Sequence, residues 1–459
     1  MFQKTTYLAR RKELKEKIGK GLILFFGNDE SSMNFSDNTY RFRQDSTFLY
    51  YFGIQHPGLA AVIDIDNDRE IIFGNDYTID DIVWMGPQPT VAERAERCGV
   101  KQVNELKKLH EIVAVATQKK QKIHFLPLYR PENKIKLFEL IDVAPKDVAI
   151  TYSLDLVKAV VSQREFKSDE EIEQLNLAVN VSVDMHVAAM KFARPGMTEA
   201  EVAGEIHKVA LAAGGDIAFP IIATINGQTL HNHYHGNTIK QGDLLLVDAG
   251  YENQMCYAGD LSSTIPVSKK FTTEQKEIYE ITLAAHQAAV DALGLNTPFK
   301  NAHIAACTTV FNGLKEMGFT KGNAMDAFDA GAHALFFPCG TGHMMGLDVH
   351  DMEDLGEVWV GYNGQPKSTQ FGLKSLRLAK PLKAGHVFTI EPGIYFIPEL
   401  IDLWRGQNKF NDFIHWEKVD SYRNFGGIRN EEDFVMTLEG AKLLGKPKPK
   451  TVAEVEAMR

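Results

Sequence analysis

GDLLLVDAG, residues 242–250, carries four apolar residues, Leu244 to Val247, straight into a carboxylate, Asp248. A short apolar run bounded by glycines predicts a buried strand. Charges are almost never fully buried unless they are paired or bind a metal, so Asp248 asks for a partner. Twelve residues on comes Asp260, in CYAGDLSSTIPV. The intervening YENQM predicts a hairpin loop, and two facing strands would bring the carboxylates together. Two bare carboxylates in one buried site repel, and one protonates unless a cation intervenes. Spacing alone leaves Asp260 equally readable as a ligand or as a turn cap after Gly259.

Further along, the same puzzle recurs. In PCGTGHMMGLDVHD, 338–351, glycines flank His343, letting backbone and ligand approach closely, and His350 follows seven residues later. A lone histidine is more often structural; two of them bracketing a Gly-rich apolar stretch favour function. VFTIEPGIYF, 387–396, places Glu391 at the centre of a β-branched and aromatic run, and Pro392 holds it extended. FGGIRNEEDFVMT, 425–437, puts Arg429 and Glu431 on one strand face by period two; the plainer reading is a surface pair of little energetic value. Four carboxylates and one imidazole make a hard donor set suited to Mn²⁺, Co²⁺ or Fe²⁺, with Zn²⁺ as a further choice. Five protein ligands, some bridging, are enough for two ions that activate a water for hydrolysis.

The chain around these motifs has 459 residues, which fits two or three domains. Its net charge of −10 argues against a nucleic-acid partner, which would call for a basic face. Four scattered cysteines, Cys98, Cys256, Cys307 and Cys339, form no C-x-x-C and suit a reducing compartment. The basic N-terminal stretch has no apolar core of a secretory signal, and no run approaches the roughly 20 residues of a membrane span. A cytoplasmic protein with no membrane partner is expected.

Residues 1–155 alternate strand and helix patterns: strands in GLILFFG, AAVIDID, REIIFG and KIHFLP, helices in TVAERAERCG and ENKIKLFELID. They predict an α/β domain. From 156 to 459 the pattern changes, with two helices that break near Ser168, an N-cap followed by an acidic turn. A weak repeat links 169–215 with 273–319: each has an acidic start, a long amphipathic helix, a turn with proline, a second helix and then glycine. Strand-like sequence follows both, which suggests two halves related by a pseudo-two-fold axis.

Taken in order, VDAG, GD, GTGH, EPG and RNE resemble the pita-bread metallopeptidases, the aminopeptidase P and prolidase family. The resemblance covers nearly the whole chain. It implies an α/β N-terminal domain and an α+β pita-bread catalytic domain with internal duplication. It implies that Asp248, Asp260, His343, Glu391 and Glu431 hold two divalent ions, Mn²⁺ first, and that the substrates are peptides with proline in second position. By the same resemblance His231, in LHNHYHGN, lies at the site mouth, with His233 and His235 as extra candidates. His350 matches the second active-site histidine, Arg377 the arginine that meets a substrate carboxylate, and Arg429 the one that orients the site. YRFRQDSTFLYYFGI, 40–54, resembles the family's N-terminal domain and implies a homodimer or homotetramer. Two departures stand out. Asn430 replaces the usual isoleucine and is expected to face away from the ligands. A long insertion, 397–424, tilts the reading towards prolidase. Two alternatives keep the fold without the peptidase: an inactive pita-bread binding module and a metal-free creatinase-like hydrolase. Both usually lose several ligands.

Overall fold

The computed structural model describes residues 1–459 and contains two compact units, Met1–Arg164 with Glu353–Trp359, and Glu165–Met352 with Val360–Arg459. The first unit is built on a five-stranded sheet. Strands β1 (Leu22–Phe26), β2 (Ala60–Asp64), β3 (Arg69–Phe73), β4 (Gln102–Asn104) and β5 (Ile123–His124) lie in the order β4-β3-β2-β1-β5. The predicted hairpin is present, with Asp64 opposite Arg69 across Asn67-Asp68. KIHFLP contributes only the two residues of β5, parallel to β1. Both faces of β1 and β2 are buried, so these strands read as continuous apolar runs rather than alternating ones. The helices Lys108–Gln118 and Pro131–Ile141 pack their apolar stripes on this sheet.

Arg11 is fully buried in this unit. It donates to the carbonyls of Tyr51 and Cys98 and pairs with Glu70 at 2.9 Å, so the charge is compensated where it sits. The helix Leu154–Arg164 also belongs here: Gln163 accepts from the Tyr51 hydroxyl, and Arg164 donates to Thr47. The boundary therefore falls at 164/165 rather than at the expected 155/156. An apolar helix face reads the same whichever domain covers it, so composition could not place it. The short segment Glu353–Trp359, distant in sequence, completes the unit, with Lys158 over the Trp359 ring.

The second unit is the pita-bread fold, two halves that each pair two helices with a small antiparallel sheet. Ser168 caps the helix Asp169–Phe192 through a reciprocal box with Glu171, as the acidic start predicted. This helix packs on Glu199–Ala212 and lies against the first sheet. Its strands are β6 (Asp216–Ile217), β7 (Ile222–Thr224), β8 (Leu244–Ala249), β9 (Tyr251–Glu252) and β10 (Leu261–Pro266), with the sheet order β10-β8-β7. The YENQM loop is more ordered than a plain hairpin turn, because β9 pairs with β6. In the second half, Thr273–Asp291 packs on Lys300–Glu316. Its strands are β11 (Val387–Ile390), β12 (Gly393–Tyr395), β13 (Gly427–Arg429), β14 (Glu432–Thr437) and β15 (Gly440–Leu443). They form a sheet β11-β14-β15 and a separate pair β12-β13. The halves meet where β13 and β14 lean on β10.

Two expectations need correction. The run after FFPCGTG forms no strand until Val387; only short helical turns occupy the stretch, which its glycines and prolines permit. Glu391 is not at a strand centre. Pro392 cannot donate to a ladder, so the run splits into β11 and β12, which join different sheets, and Glu391 sits at the break. The 397–424 insertion folds as the helices Pro398–Gly406 and Trp416–Asp420. No helix is long and apolar enough to cross a membrane.

Candidate metal centre

Asp248 lies near the end of the central strand β8, opposite Ser262 on one side and Ile222 on the other. Asp260 precedes β10, so the hairpin brings the two carboxylates to one end of the sheet. That hairpin closes because Gly250 has no side chain: a Cβ there would stand 1.8 Å from the Gly259 carbonyl oxygen. From the other half, Glu391 enters at the β11–β12 break and Glu431 between β13 and β14. The Glu431 amide donates to the Ser262 carbonyl at 3.2 Å, which stitches this ligand to β10. His343 is fastened by its neighbours' backbones: its amide donates to Thr389 Oγ1, and its carbonyl accepts from the Thr389 amide.

The five side chains converge. One donor atom each from Asp248, Asp260 and Glu431 lies within 4.8 Å of the others, and the same holds for His343, Glu391 and Glu431, and for Asp260, His343 and His350. His343 Nε2 stands 3.3 Å from Asp260 Oδ2 and 3.6 Å from Glu391 Oε1. Its Nδ1 is 3.0 Å from the Met344 carbonyl, which only accepts, so Nδ1 carries a proton and Nε2 is the nitrogen that faces the cluster and could serve a cation.

The electrostatics ask for cations. Burial first, and then the charge of Asp260, pushes Asp248 up to about 7 against the opposing pull of Arg429. Glu431 is raised well above the usual carboxylate range, by burial and then by Asp260, Glu391 and Asp248. Burial also raises Glu391, although His343 and Arg429 pull it back. One buried carboxylate oxygen, Oδ1 of Asp248, has no hydrogen-bond partner at all. An orphaned acceptor in a knot of like charges fits a divalent ion, whose coordination would satisfy it and remove the repulsion.

Arg429 is buried beneath this cluster. It donates to Asp248 Oδ2 at 2.5 Å, to Ser262 Oγ at 2.9 Å and to the Tyr395 hydroxyl at 2.9 Å. The surface-pair reading of Arg429 and Glu431 is therefore replaced: both reach Ser262, and Arg429 pairs with Asp248 instead. Asn430, between them, points its Oδ1 at Lys448, 3.4 Å away. His350 lies beside His343 with ring centroids 4.0 Å apart and the rings tilted by 48°. His231 is exposed; partial desolvation lowers its imidazole, and the charges of Arg429 and Arg377 add to that. Arg377 also acts on Glu391. His235 is bound to the Ile221 carbonyl at 2.9 Å and is structural, and His233 is exposed.

Three contributors were not foreseen. Ser262 Oγ donates to Glu431 Oε2 at 2.8 Å while accepting from Arg429. Tyr395 holds the far side of the Arg429 fork. Asp433, fully buried, accepts the Asp260 amide at 3.0 Å, and burial and Asp260 raise its carboxyl. Asp433 lacks the signal of Asp248, because it follows Glu431 and Glu432 in an acidic run that reads as solvated. Hydroxyls in strands are too common to be a signal.

The model of metallopeptidase family M24 matches residues 173–438, and that of the aminopeptidase P N-terminal domain matches residues 7–124. The Xaa-Pro dipeptidase of Homo sapiens is 30% identical over 98% of this chain and 92% of its own length. A probable Xaa-Pro aminopeptidase of Emericella nidulans is 29% identical over 92% of this chain and 90% of its own. Among solved structures, Pseudomonas aeruginosa aminopeptidase PepP superposes with a TM-score of 0.82 at 26% identity, covering 100% of this chain and 98% of that one. Zn-substituted Escherichia coli aminopeptidase P in complex with product gives a TM-score of 0.81 at 26% identity, with the same coverages. Matched across its catalytic half by the family model and over nearly its full length by these relatives, the chain belongs to metallopeptidase family M24 and carries an aminopeptidase P N-terminal domain.

Proposed function

We propose that this metallopeptidase hydrolyses the peptide bond that precedes proline, with two Mn²⁺ ions held by Asp248, Asp260, His343, Glu391 and Glu431. The observation that carries the reading is the convergence of these donors around the unpartnered Asp248 oxygen. Asp260, His343 and Glu431 each belong to two of the three-donor groups, which joins the five donors into one cluster that would hold the ions. Hard carboxylate oxygens with one imidazole favour Mn²⁺ over softer ions. When bound, such ions supply Lewis acidity to the scissile carbonyl and lower the pKa of a water.

The remaining steps belong to the chain's own groups. Glu391 is the more open of the candidate bases: its side chain is 20% exposed, whereas Glu431 is buried and tied to Ser262. Glu391 takes the proton of the attacking water and passes it to the leaving proline nitrogen. His231 and His350 hydrogen-bond the substrate and the oxyanion of the tetrahedral intermediate. Arg377 meets the substrate carboxylate, which favours dipeptides, and Arg429 acts by holding Asp248. The unit that runs to Arg164 acts as the N-terminal domain and the unit that begins at Glu165 as the catalytic domain, and the chain works in the cytoplasm as a homodimer or homotetramer.

The test is incubation of the purified protein with Mn²⁺ and either Gly-Pro or a longer Xaa-Pro-peptide. Release of glycine and proline from the dipeptide is expected. Cleavage of longer peptides alone would reassign it as an aminopeptidase. Cleavage of neither, with metal bound, would sink the Xaa-Pro reading and favour a binding module.

A further inference from the structure

A second cluster of metal-ligating side chains lies in the same unit and is not used by the peptidase reading. His303 and Cys307 are one helical turn apart on Lys300–Glu316, so both side chains project from one face. His333 reaches them from the short helical turn Ala332–Leu335. One donor atom from each lies within 4.8 Å of the other two, and all three residues are buried. We propose that His303, Cys307 and His333 form a separate, soft-metal site that takes a monovalent cation of the copper(I) type.

Three observations support it. The first is an unmet need. His333 is 2% exposed, and neither of its ring nitrogens makes a hydrogen bond of good geometry; the backbone of Phe328 and Ala327 offers only weak hydrogen bonding, which does not offset the burial that lowers the imidazole to about 4. A buried imidazole so poorly satisfied is costly, and a metal bond would satisfy one of its nitrogens. The second is orientation. His303 Nδ1 is engaged with Thr341 Oγ1 at 2.8 Å, which leaves Nε2 facing Cys307 Sγ at 3.5 Å. Metal-ligating histidines are commonly fixed in this way, through the nitrogen that does not bind. The third is a glycine that keeps a side chain off the imidazole: Gly372, at φ +92°, lies over His333, and a Cβ there would stand 3.2 Å from His333 Nε2.

Charge selects the ion. The surroundings are Phe328, Phe337 and Ala334, with no carboxylate among the three donors, and the charge of Lys300 already acts on His303. One thiolate and two neutral imidazoles balance a single positive charge, so Cu⁺ leaves the site neutral. Zn²⁺ would leave one uncompensated charge in an apolar interior, and it prefers a fourth ligand. Thiolate and imidazole suit Cu⁺. On binding, the Cys307 S–H bond breaks, a copper–sulfur bond forms, and the proton leaves to the buffer without any change of oxidation state.

The test uses the full chain, loaded with copper during expression and also, anaerobically, by exchange with a chromophoric Cu⁺ chelator. Wild type should retain one equivalent of Cu⁺ that Cys307→Ser and His333→Phe each hold at least tenfold more weakly. Phenylalanine keeps the stack on Phe328, and circular dichroism establishes that both variants are folded. Cys339→Ser should retain the copper. X-ray absorption at the copper edge should show one sulfur and two nitrogens. Equal retention by wild type and folded Cys307→Ser, or loss in Cys339→Ser, would overturn the site. Zinc retained in preference to Cu⁺, and lost in Cys307→Ser, would overturn the charge argument that selects a monovalent ion.

Discussion

Ser262 shows how a residue with no chemistry of its own can govern the metal ligands. Its hydroxyl has one proton, given to Glu431, and its lone pairs receive Arg429. Removing it loosens a ligand and the arginine that orients Asp248. Such outer partners typically contribute 10–100-fold to metal affinity or activity, so Ser262→Ala should weaken Mn²⁺ binding by roughly that factor. Isothermal titration checks this, and unchanged affinity would refute it. The convergence of the proposed ligands was in part legible, because a carboxylate ending an apolar run, as Asp248 does, is conspicuous. Ser262 and Tyr395 were not, because a strand hydroxyl means nothing until the fold brings Arg429 to it.

Among the elements, the helix starting after Ser168 was readable down to its cap, since serine and glutamate three apart are a local signal. Ser168→Ala should cost about 0.5–2 kcal/mol in denaturant unfolding. The break at Pro392 was harder to place, since proline marks an interruption but not which sheets the two pieces join. Still less legible was the ion pair that ties the start of this helix to the His343–His350 loop. Lys167 Nζ lies 2.8 Å from Asp351 Oδ2, with both side chains almost wholly buried. No local pattern joins residues so far apart in sequence. Removing one partner of a buried pair strands the other charge, at a typical cost of about 3–5 kcal/mol. Asp351→Ala should therefore destabilise the second unit far more than the cap mutation does. Equal urea midpoints for the two variants would count against a buried, uncompensated Lys167.

For the whole molecule, the two-domain order and the repeated halves could be read from sequence, because each half restates the same helix pair. The 164/165 boundary could not, because it depends on which core a helix joins. Buried histidines set the acid limit. Burial holds His186 and His286 at about 3 and His386 at about 2, against about 6.5 in the unfolded chain. Below about pH 6.5 the unfolded chain binds protons that the folded one refuses. Stability is therefore full above that value and falls as pH drops towards the folded values. At pH 5 each group accounts for on the order of 2 kcal/mol. With the carboxylate cluster loaded with metal, so that its raised carboxyls do not take up protons in the folded state and offset the histidines, urea midpoints should drop from pH 7 to pH 5, and a flat profile would contradict buried neutral imidazoles. Metal should act in the opposite direction: a divalent ion at about 100 times its Kd would add about 2.7 kcal/mol, visible as a lower melting temperature after chelation. The stitch between Glu431 and β10 carries a consequence for biosynthesis. Asp248 and Asp260 leave the ribosome long before Glu391 and Glu431, and domains fold as units in order of synthesis. Until those last strands emerge, the nascent second unit holds an incomplete set of the proposed donors. On the proposed ligand set, a transcript that ends before Glu431 should encode a protein that folds its first unit but cannot keep a metal.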